Sequence, residues 1–136
     1  MTGIDGFYAY IESVRSNPFC WGKHDCFTFC NDAVRSYKGV GFADDWMGNY
    51  TSERGALIHS TRLLHRHGFS GIVEAVDSRL HRFSSMYPPR GSVVARSHPG
   101  VLRYAFGVVV SDRLAFVGKT GLLFVKITPE DIFWSV

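Results

Sequence analysis

Residues 19–30 read Phe-Cys-Trp-Gly-Lys-His-Asp-Cys-Phe-Thr-Phe-Cys, and the fold of the whole chain is organised around this stretch. A turn at Gly22 leads to Asp25, a residue type that favours the N-cap position of a helix. Cys26 would then lie in the first helical turn, where free backbone N–H groups and the positive end of the helix dipole favour a thiolate. Cys26 is therefore a candidate nucleophile, with a buried and unreactive thiol as the alternative.

The residues after Cys26 predict an amphipathic helix over 26–38. Apolar side chains recur at helical spacing, while polar side chains fall on the other faces. The predicted buried positions are Phe29, Cys30, Ala33, Val34 and Tyr37. Gly39 would end the helix. We expect this face, which begins at Cys26, to pack against a later part of the chain.

Three further helices are predicted from apolar spacing and from start and stop signals. The first covers 4–14 and ends at the Ser-Asn-Pro segment. Another begins at a cap formed by Thr51 or Ser52, ends at Gly68, and places Leu57, Thr61 and Leu64 on its packing face. A short helix over 72–80 follows. The loop before the cap carries two aromatic residues, Trp46 and Tyr50, which we expect to be exposed.

The character of the sequence changes at residue 92. From there the apolar pattern has a period of two or is continuous, which predicts strands over 92–96, 104–110, 113–117 and 121–127. Short turns separate them, so consecutive strands are expected to form antiparallel hairpins. Residues 129–133 predict a turn of helix, and 134–136 a last edge strand. Helices followed by a strand meander indicate an α+β fold with N-terminal helices packed on a C-terminal antiparallel sheet.

Composition sets the limits on function class. The chain has 136 residues, 46% of them hydrophobic, which suits a single domain over 1–136. The net charge is +3 without a run of Lys or Arg, so nucleic acid is not an expected partner. Three cysteines do not form a disulfide framework. The N-terminal segment lacks the apolar core of a signal peptide, and no membrane span is predicted.

Metal binding is the alternative chemistry. The residues Cys20, His24, Cys26 and Cys30 carry soft ligand atoms in the spacing C-x3-H-x-C-x3-C. This spacing lacks the C-x2-C knuckle, and the four positions are also explained by a cap, core-facing thiols and a loop, so we expect neither a metal nor another cofactor. His59, His65 and His67 are interpreted as a solvated basic surface rather than as ligands.

Several short motifs resemble those of one family. The sequence opens the central helix with Trp-Gly-x-x-Asp-Cys at 21–26, continues with Arg-Gly-Ser-Val-Val-Ala at 90–95 and Phe-Gly-Val-Val-Val at 106–110, and ends with Gly-x-x-Gly at 118–121. In this respect most of 18–136 resembles the papain-like NlpC/P60 proteins, and more narrowly those encoded among phage and prophage tail genes. The resemblance implies a papain-like fold, Cys26 as nucleophile, a histidine base on the second strand, and a peptidoglycan stem peptide as substrate.

The expected base is missing from this sequence. Where the family reads His-Val-Gly-Ile, the chain has Ala105-Phe106-Gly107-Val108, and where it reads Gly-Asp-Leu-Val, the chain has Gly-Ser-Val-Val at 91–94. A Cys–His hydrolase needs an imidazole beside the sulfur to remove its proton and to protonate the leaving amine. His98 and His24 are the nearest substitutes in the sequence.

Two functional hypotheses follow from the resemblance. One is a structural or interaction component of a phage tail tip, associated with the baseplate, that hydrolyses weakly or not at all. The other is an active cysteine endopeptidase or amidase that cuts peptidoglycan with Cys26 and a relocated base such as His98. Both imply assembly in the host cytoplasm, a place in the virion tail, and other tail-tip proteins as partners.

The aromatic residues at the C-terminus could serve either an interface or the core. Phe-Trp-Ser-Val at 133–136 could dock on a larger protein, because large aromatic side chains are enriched at interface cores. The same rings could instead close the core of the domain itself.

Overall fold

The structure is a computed structural model that describes residues 1–136. Helices occupy the first half of the chain and six strands the second. The helices are α1 (Gly3–Val14), α2 (Cys26–Lys38), α3 (Glu53–His67) and α4 (Ile72–Asp77), with a 3-10 turn at Asp44–Trp46. The strands are β1 (His81–Phe83), β2 (Val93–Ser97), β3 (Tyr104–Val110), β4 (Arg113–Val117), β5 (Leu122–Val125) and β6 (Ile132–Ser135). The predicted α+β class, with N-terminal helices and a C-terminal antiparallel sheet, is confirmed.

The six strands form one sheet in the order β1-β6-β2-β3-β4-β5, and every neighbouring pair is antiparallel. Strands β2 to β5 form the predicted meander of hairpins. The pairing of β3 with β4 covers only Val108–Val110 on β3. The first residues of β3 therefore lie beyond the paired part of β4, and the site described below is located there.

Helix α2 has the boundaries that the sequence predicts. Asp25 caps its start and forms a reciprocal capping box with Thr28, while Gly39 ends it in the left-handed conformation with φ of 88°. Phe29, Cys30 and Ala33 are fully buried, and Val34 is nearly so, whereas Tyr37 is only partly buried. One side of α2 packs on β3 and another on α1. The core of the domain therefore lies between this helical layer and the sheet.

The prediction for the packing face of α3 is wrong for Leu57 and Thr61, which are exposed, whereas Leu64 is partly buried and packs against the core. Leu57 is 49% exposed, and the buried positions are Ala56 and Leu63. Ser52 is the cap, as one of the two predicted alternatives, and its hydroxyl accepts a hydrogen bond from the backbone N–H of Gly55. The inward face of the helix instead carries Ala56, His59, Ser60 and Leu63, which line the cavity described below.

Two predictions for the C-terminal strands are also wrong. Residues Ile132–Ser135 form β6 instead of a helical turn and an edge strand, and β6 lies between β1 and β2. Strand β1, which the sequence did not predict, occupies the sheet edge because α4 ends at Asp77, before the predicted boundary. Trp134 is fully buried, and its Nε1 donates to Asp77 Oδ1 at 2.8 Å. Its ring therefore belongs to the core of the domain.

Trp46 contradicts the expectation of exposed loop aromatics. Only 2% of it is exposed, and its ring packs near Phe27 and Phe69. The guanidinium of Arg79 lies over the ring, 4.3 Å from its centre, and also forms a two-pronged ion pair with Asp45. None of the helices combines the length and the apolar character that a membrane crossing requires.

Candidate functional site

A cavity of about 500 Å³ lies over the start of α2, and the side chain of Cys26 forms part of its wall. Eighteen of its 26 lining residues are hydrophobic, so the cavity is mainly apolar. Its wall is built from the loop before α2, the inward face of α3, the β2–β3 turn, and the ends of β4 and β5. The main aromatic and aliphatic contributors are Phe19, Trp21, Trp46, Leu63, Phe116 and Leu123.

Asp25 fixes the position of Cys26. Its Oδ1 accepts hydrogen bonds from the backbone N–H groups of Phe27 and Thr28, at 3.1 and 2.9 Å. Its Oδ2 accepts from the N–H of Gly22 and from the hydroxyl of Tyr50, at 2.9 and 2.8 Å. Asp25 is 3% exposed, and all four bonds are therefore made within a nearly dry site. This carboxylate holds together the turn, the helix start and the loop that precedes α3.

The environment of Cys26 opposes ionisation of its thiol. Burial raises the pKa of Cys26 to about 11, and the nearby charge of Asp25 raises it further, although the backbone N–H groups of Phe106, Phe27 and Cys26 act in the opposite direction. The expected thiolate is thus not favoured, because desolvation outweighs the helix terminus. The thiol carries its proton at neutral pH, which disfavours its use as a nucleophile.

The thiol of Cys26 lies near the start of β3, next to the backbone N–H of Phe106. Phe106 pairs with Ala95 of β2 but lies outside the pairing with β4, and its N–H is near the sulfur. Ala105, the residue before it, lines the same cavity. Its side chain packs with the cluster of Val94, Val109 and Phe116, on the sheet face opposite to Phe106, so the position at which the resemblance implies a histidine carries only a methyl group and is not directed at the thiol.

None of the nearby imidazoles is hydrogen-bonded to the thiol of Cys26. The ring of His24 packs edge-on against Phe29, with centroids 5.8 Å apart, and its Nε2 is buried without a partner. Burial lowers the pKa of His24. His98 is exposed in the turn between β2 and β3, although it lines the cavity. Neither candidate base is thus placed as a partner of Cys26.

His59 is a cavity residue that the sequence did not identify. The sequence predicts a solvated surface residue, but His59 is partly buried, and its Nε2 is 2.7 Å from the carbonyl oxygen of Trp46. Its ring also lies against Tyr50, with centroids 5.4 Å apart. Spacing from Ala56 could have located it, since positions 56, 59, 60 and 63 share one helix face. That face is half polar, so a search for apolar spacing misses it.

Tyr50 is the other missed residue. Its hydroxyl is bonded to Asp25, and burial together with the charges of Asp25 and Cys26 raises its pKa. The phenol therefore remains neutral and acts as a donor. No sequence signal distinguished it from an ordinary loop aromatic residue.

The four residues of the metal alternative do not converge. Cys20 is exposed, and Cys30 is fully buried with its thiol 3.4 Å from the carbonyl oxygen of Gly107. His24 packs on Phe29, whereas Cys26 faces the cavity. No group of three or more His, Cys, Asp or Glu side chains is arranged to hold a metal ion.

Comparison with known families finds a match to nearly the whole chain. The model of a family described as "Domain of unknown function (DUF6950)" matches residues 5–136, which is nearly the whole chain. No curated protein and no solved structure matches the chain.

Proposed function

The chain belongs to the DUF6950 family, and we propose that it is a papain-like domain of the NlpC/P60 type that serves as a structural, interaction component of a phage tail tip. In this proposal the domain hydrolyses peptidoglycan weakly or not at all. Its assigned place is the baseplate region of the virion tail, after assembly in the host cytoplasm, and its partners are other tail-tip proteins.

One observation carries the non-hydrolytic part of the proposal, namely that no imidazole is hydrogen-bonded to the thiol of Cys26. Its pKa is raised to about 11, and Ala105 occupies the strand position of the expected base. A positioned general acid or base contributes about 10²- to 10⁴-fold to a reaction of this type. A site that lacks this group and also disfavours the thiolate should leave stem peptides intact.

The character of the cavity agrees with this view. Peptidoglycan stem peptides carry carboxylates and amines, whereas the cavity is lined mainly by hydrophobic side chains. Arg96 is the guanidinium in its wall, and it is already engaged with Asp131 through two hydrogen bonds of 2.8 and 3.0 Å. It therefore offers no free positive charge to a substrate carboxylate.

Active hydrolysis is the second candidate, because His98 lines the same cavity as Cys26. His98 lies in the turn from Ser97 to Arg103, whose ends are joined by the bond from the His98 N–H to the Arg103 carbonyl oxygen. A rearrangement of this turn on substrate binding would bring the imidazole toward the sulfur. Cys26 would then be the nucleophile of an endopeptidase or amidase, and His98 its base.

The two candidates are separated by a cleavage assay on purified peptidoglycan. Wild-type protein, Cys26→Ala and His98→Ala are incubated with it, and released peptides and new amino termini are quantified. We expect no release above the Cys26→Ala background. Cleavage that both substitutions abolish would overturn the proposal and establish a relocated dyad, while cleavage abolished only by Cys26→Ala would indicate another base.

The tail assignment is tested independently of catalysis. Tail particles from the strain that carries this sequence are purified and analysed by quantitative mass spectrometry. We expect the chain at a fixed ratio to the other tail proteins, and unchanged incorporation of Cys26→Ala. Absence of the chain from intact tails would refute a structural role in the tail tip.

A further inference from the structure

Strand β5 forms one edge of the sheet, and the backbone groups on its outer side have no neighbouring strand. Its only neighbour is β4. Along an antiparallel strand, alternate residues turn their N–H and C=O groups to the same side. The N–H of Leu122 points outward and donates to the carbonyl oxygen of Arg15 at 2.9 Å. The backbone N–H and C=O groups of Phe124, two residues later, therefore also point away from β4, on the side where the sheet has no further strand.

The side chains of this edge are apolar and exposed. Leu123 is 55% exposed and Phe124 is 37% exposed, on opposite faces of the sheet. Leu123 and Val125 also border the cavity that contains Cys26. Exposed apolar edges favour pairing with another strand, and native proteins usually cover or charge them. This edge is uncovered except at one end, where Leu122 is hydrogen-bonded to Arg15.

Positive charges flank the edge. Arg15 lies over the ring of Phe124, 5.3 Å from its centre, and is paired with Glu12. Lys119 precedes β5 in the hairpin turn, Lys126 follows it, and neither forms a salt bridge. In an antiparallel edge-to-edge pair, a second copy of the chain would set the Lys119 end of one strand beside the Lys126 end of the other. The charge therefore disfavours self-pairing and favours an acidic partner.

We propose that the outer edge of β5 binds an extended segment of a partner polypeptide by strand addition, with apolar side chains against Leu123 and Phe124 and acidic side chains near Lys119 and Lys126. The backbone groups of Phe124 supply the pairing, and the apolar side chains supply the contact area. This inference goes beyond the proposed function, which does not depend on it, because the edge is distinct from the thiol.

The test uses a displayed library of random twelve-residue peptides selected on the full-length protein. We expect enrichment of peptides that alternate apolar residues and carry Asp or Glu at their ends. An enriched peptide is then synthesised with and without N-methyl groups on alternate residues, and its affinity is measured by calorimetry. The N-methyl groups on the pairing edge should reduce affinity at least tenfold.

Two protein variants provide the matched evidence. Phe124→Pro removes the outward N–H without removing a bond to β4, and it should also weaken binding at least tenfold. The double variant Lys119→Glu/Lys126→Glu leaves the backbone edge intact and should shift the selected peptides from acidic to basic ends. Thermal unfolding of each variant verifies that the domain is folded.

Several outcomes would overturn the proposal. The first is that no peptide is enriched. The second is that enriched peptides keep their affinity after N-methylation and also bind Phe124→Pro as tightly as wild type. The third is that Lys119→Glu/Lys126→Glu selects the same acidic peptides as wild type. Sedimentation that shows a dimer lost on Phe124→Pro would assign the edge to a second copy. Binding to vesicles with anionic phospholipid, lost on charge reversal and without peptide binding, would assign it to a membrane surface.

Discussion

Two opposing influences act on the thiol of Cys26. Its position in the first turn of α2 favours the thiolate, and this part could be predicted from residues 22–26 because a cap is a local feature. Burial favours the thiol, and it depends on β3 and on the cavity wall, which are remote in the sequence. The candidate nucleophile could therefore be identified from the sequence, but its ionisation state could not.

Alkylation of Cys26 should follow the raised pKa of its thiol. With a pKa of about 11, roughly one thiol in 10⁴ is ionised at neutral pH, and the rate should rise about tenfold per pH unit toward that value. The measurement is iodoacetamide labelling followed by mass spectrometry, in a Cys20→Ser background that removes the exposed thiol.

Ala105→His provides the matched comparison. Because the side chain at 105 packs on the sheet face opposite to Phe106, an imidazole there should leave the pH at which labelling rises unchanged. A wild-type rate that is already constant below about pH 8 would contradict the burial argument. A rise that moves to lower pH in Ala105→His would show that position 105 does face the thiol.

The start of α2 should depend strongly on Asp25. Asp25→Ala leaves the buried N–H groups of Phe27 and Thr28, and the partly buried N–H of Gly22 and hydroxyl of Tyr50, without their acceptor. We expect a loss of about 2 to 4 kcal/mol in the free energy of unfolding, since each unsatisfied buried donor costs about 1 to 3 kcal/mol and partial solvation recovers some of that. Chemical denaturation measures this loss.

Ser52→Ala is the matched control for Asp25→Ala. Ser52 also caps a helix through one N–H, but it is exposed. Its loss should be about 1 kcal/mol or less. Equal losses for the two caps would show that the contacts of Asp25 beyond the helix, to Gly22 and Tyr50, contribute nothing.

The packing of α2 on the sheet should depend on Phe29. Its side chain is fully buried and lies near Tyr10 and His24. Phe29→Ala should cost about 3 to 5 kcal/mol, because it removes an aromatic ring from a closed core. Leu57→Ala, on a residue that is 49% exposed, should cost less than about 1 kcal/mol. A loss below that value for Phe29→Ala would contradict its placement in the core.

The sequence predicted the elements better than their arrangement in the sheet. The strands of the meander could be located because their hairpins join neighbouring segments. The position of β6 could not, because its pairing with β2 joins residues about forty positions apart, and no local pattern specifies such a contact. The face of α3 was misassigned for a related reason, since its inward side lines a cavity and carries His59 and Ser60.

Removal of residues 133–136 should unfold the domain. These residues include most of β6, which lies between β1 and β2, and the fully buried Trp134. Far-UV circular dichroism and thermal unfolding should show loss of a cooperative transition. Removal of Val136 alone leaves β6 intact and should retain it. A cooperative fold after the longer deletion would mean that the C-terminal residues serve docking rather than the core.

The stability of the whole domain should decline in mild acid because of His24. Its imidazole is 8% exposed, its Nε2 has no partner, and burial lowers its pKa, although Asp32 and Asp25 oppose this effect. The folded state keeps His24 neutral, whereas the unfolded chain binds a proton below about pH 6.5. The free energy of unfolding should therefore decrease as the pH falls below that value, and this contribution stays lost at lower pH.

Denaturation at about pH 7.5 and 5.5 measures the decrease, and His24→Phe, which retains a ring against Phe29, should reduce it. An equal decrease in the variant would assign the effect to other groups.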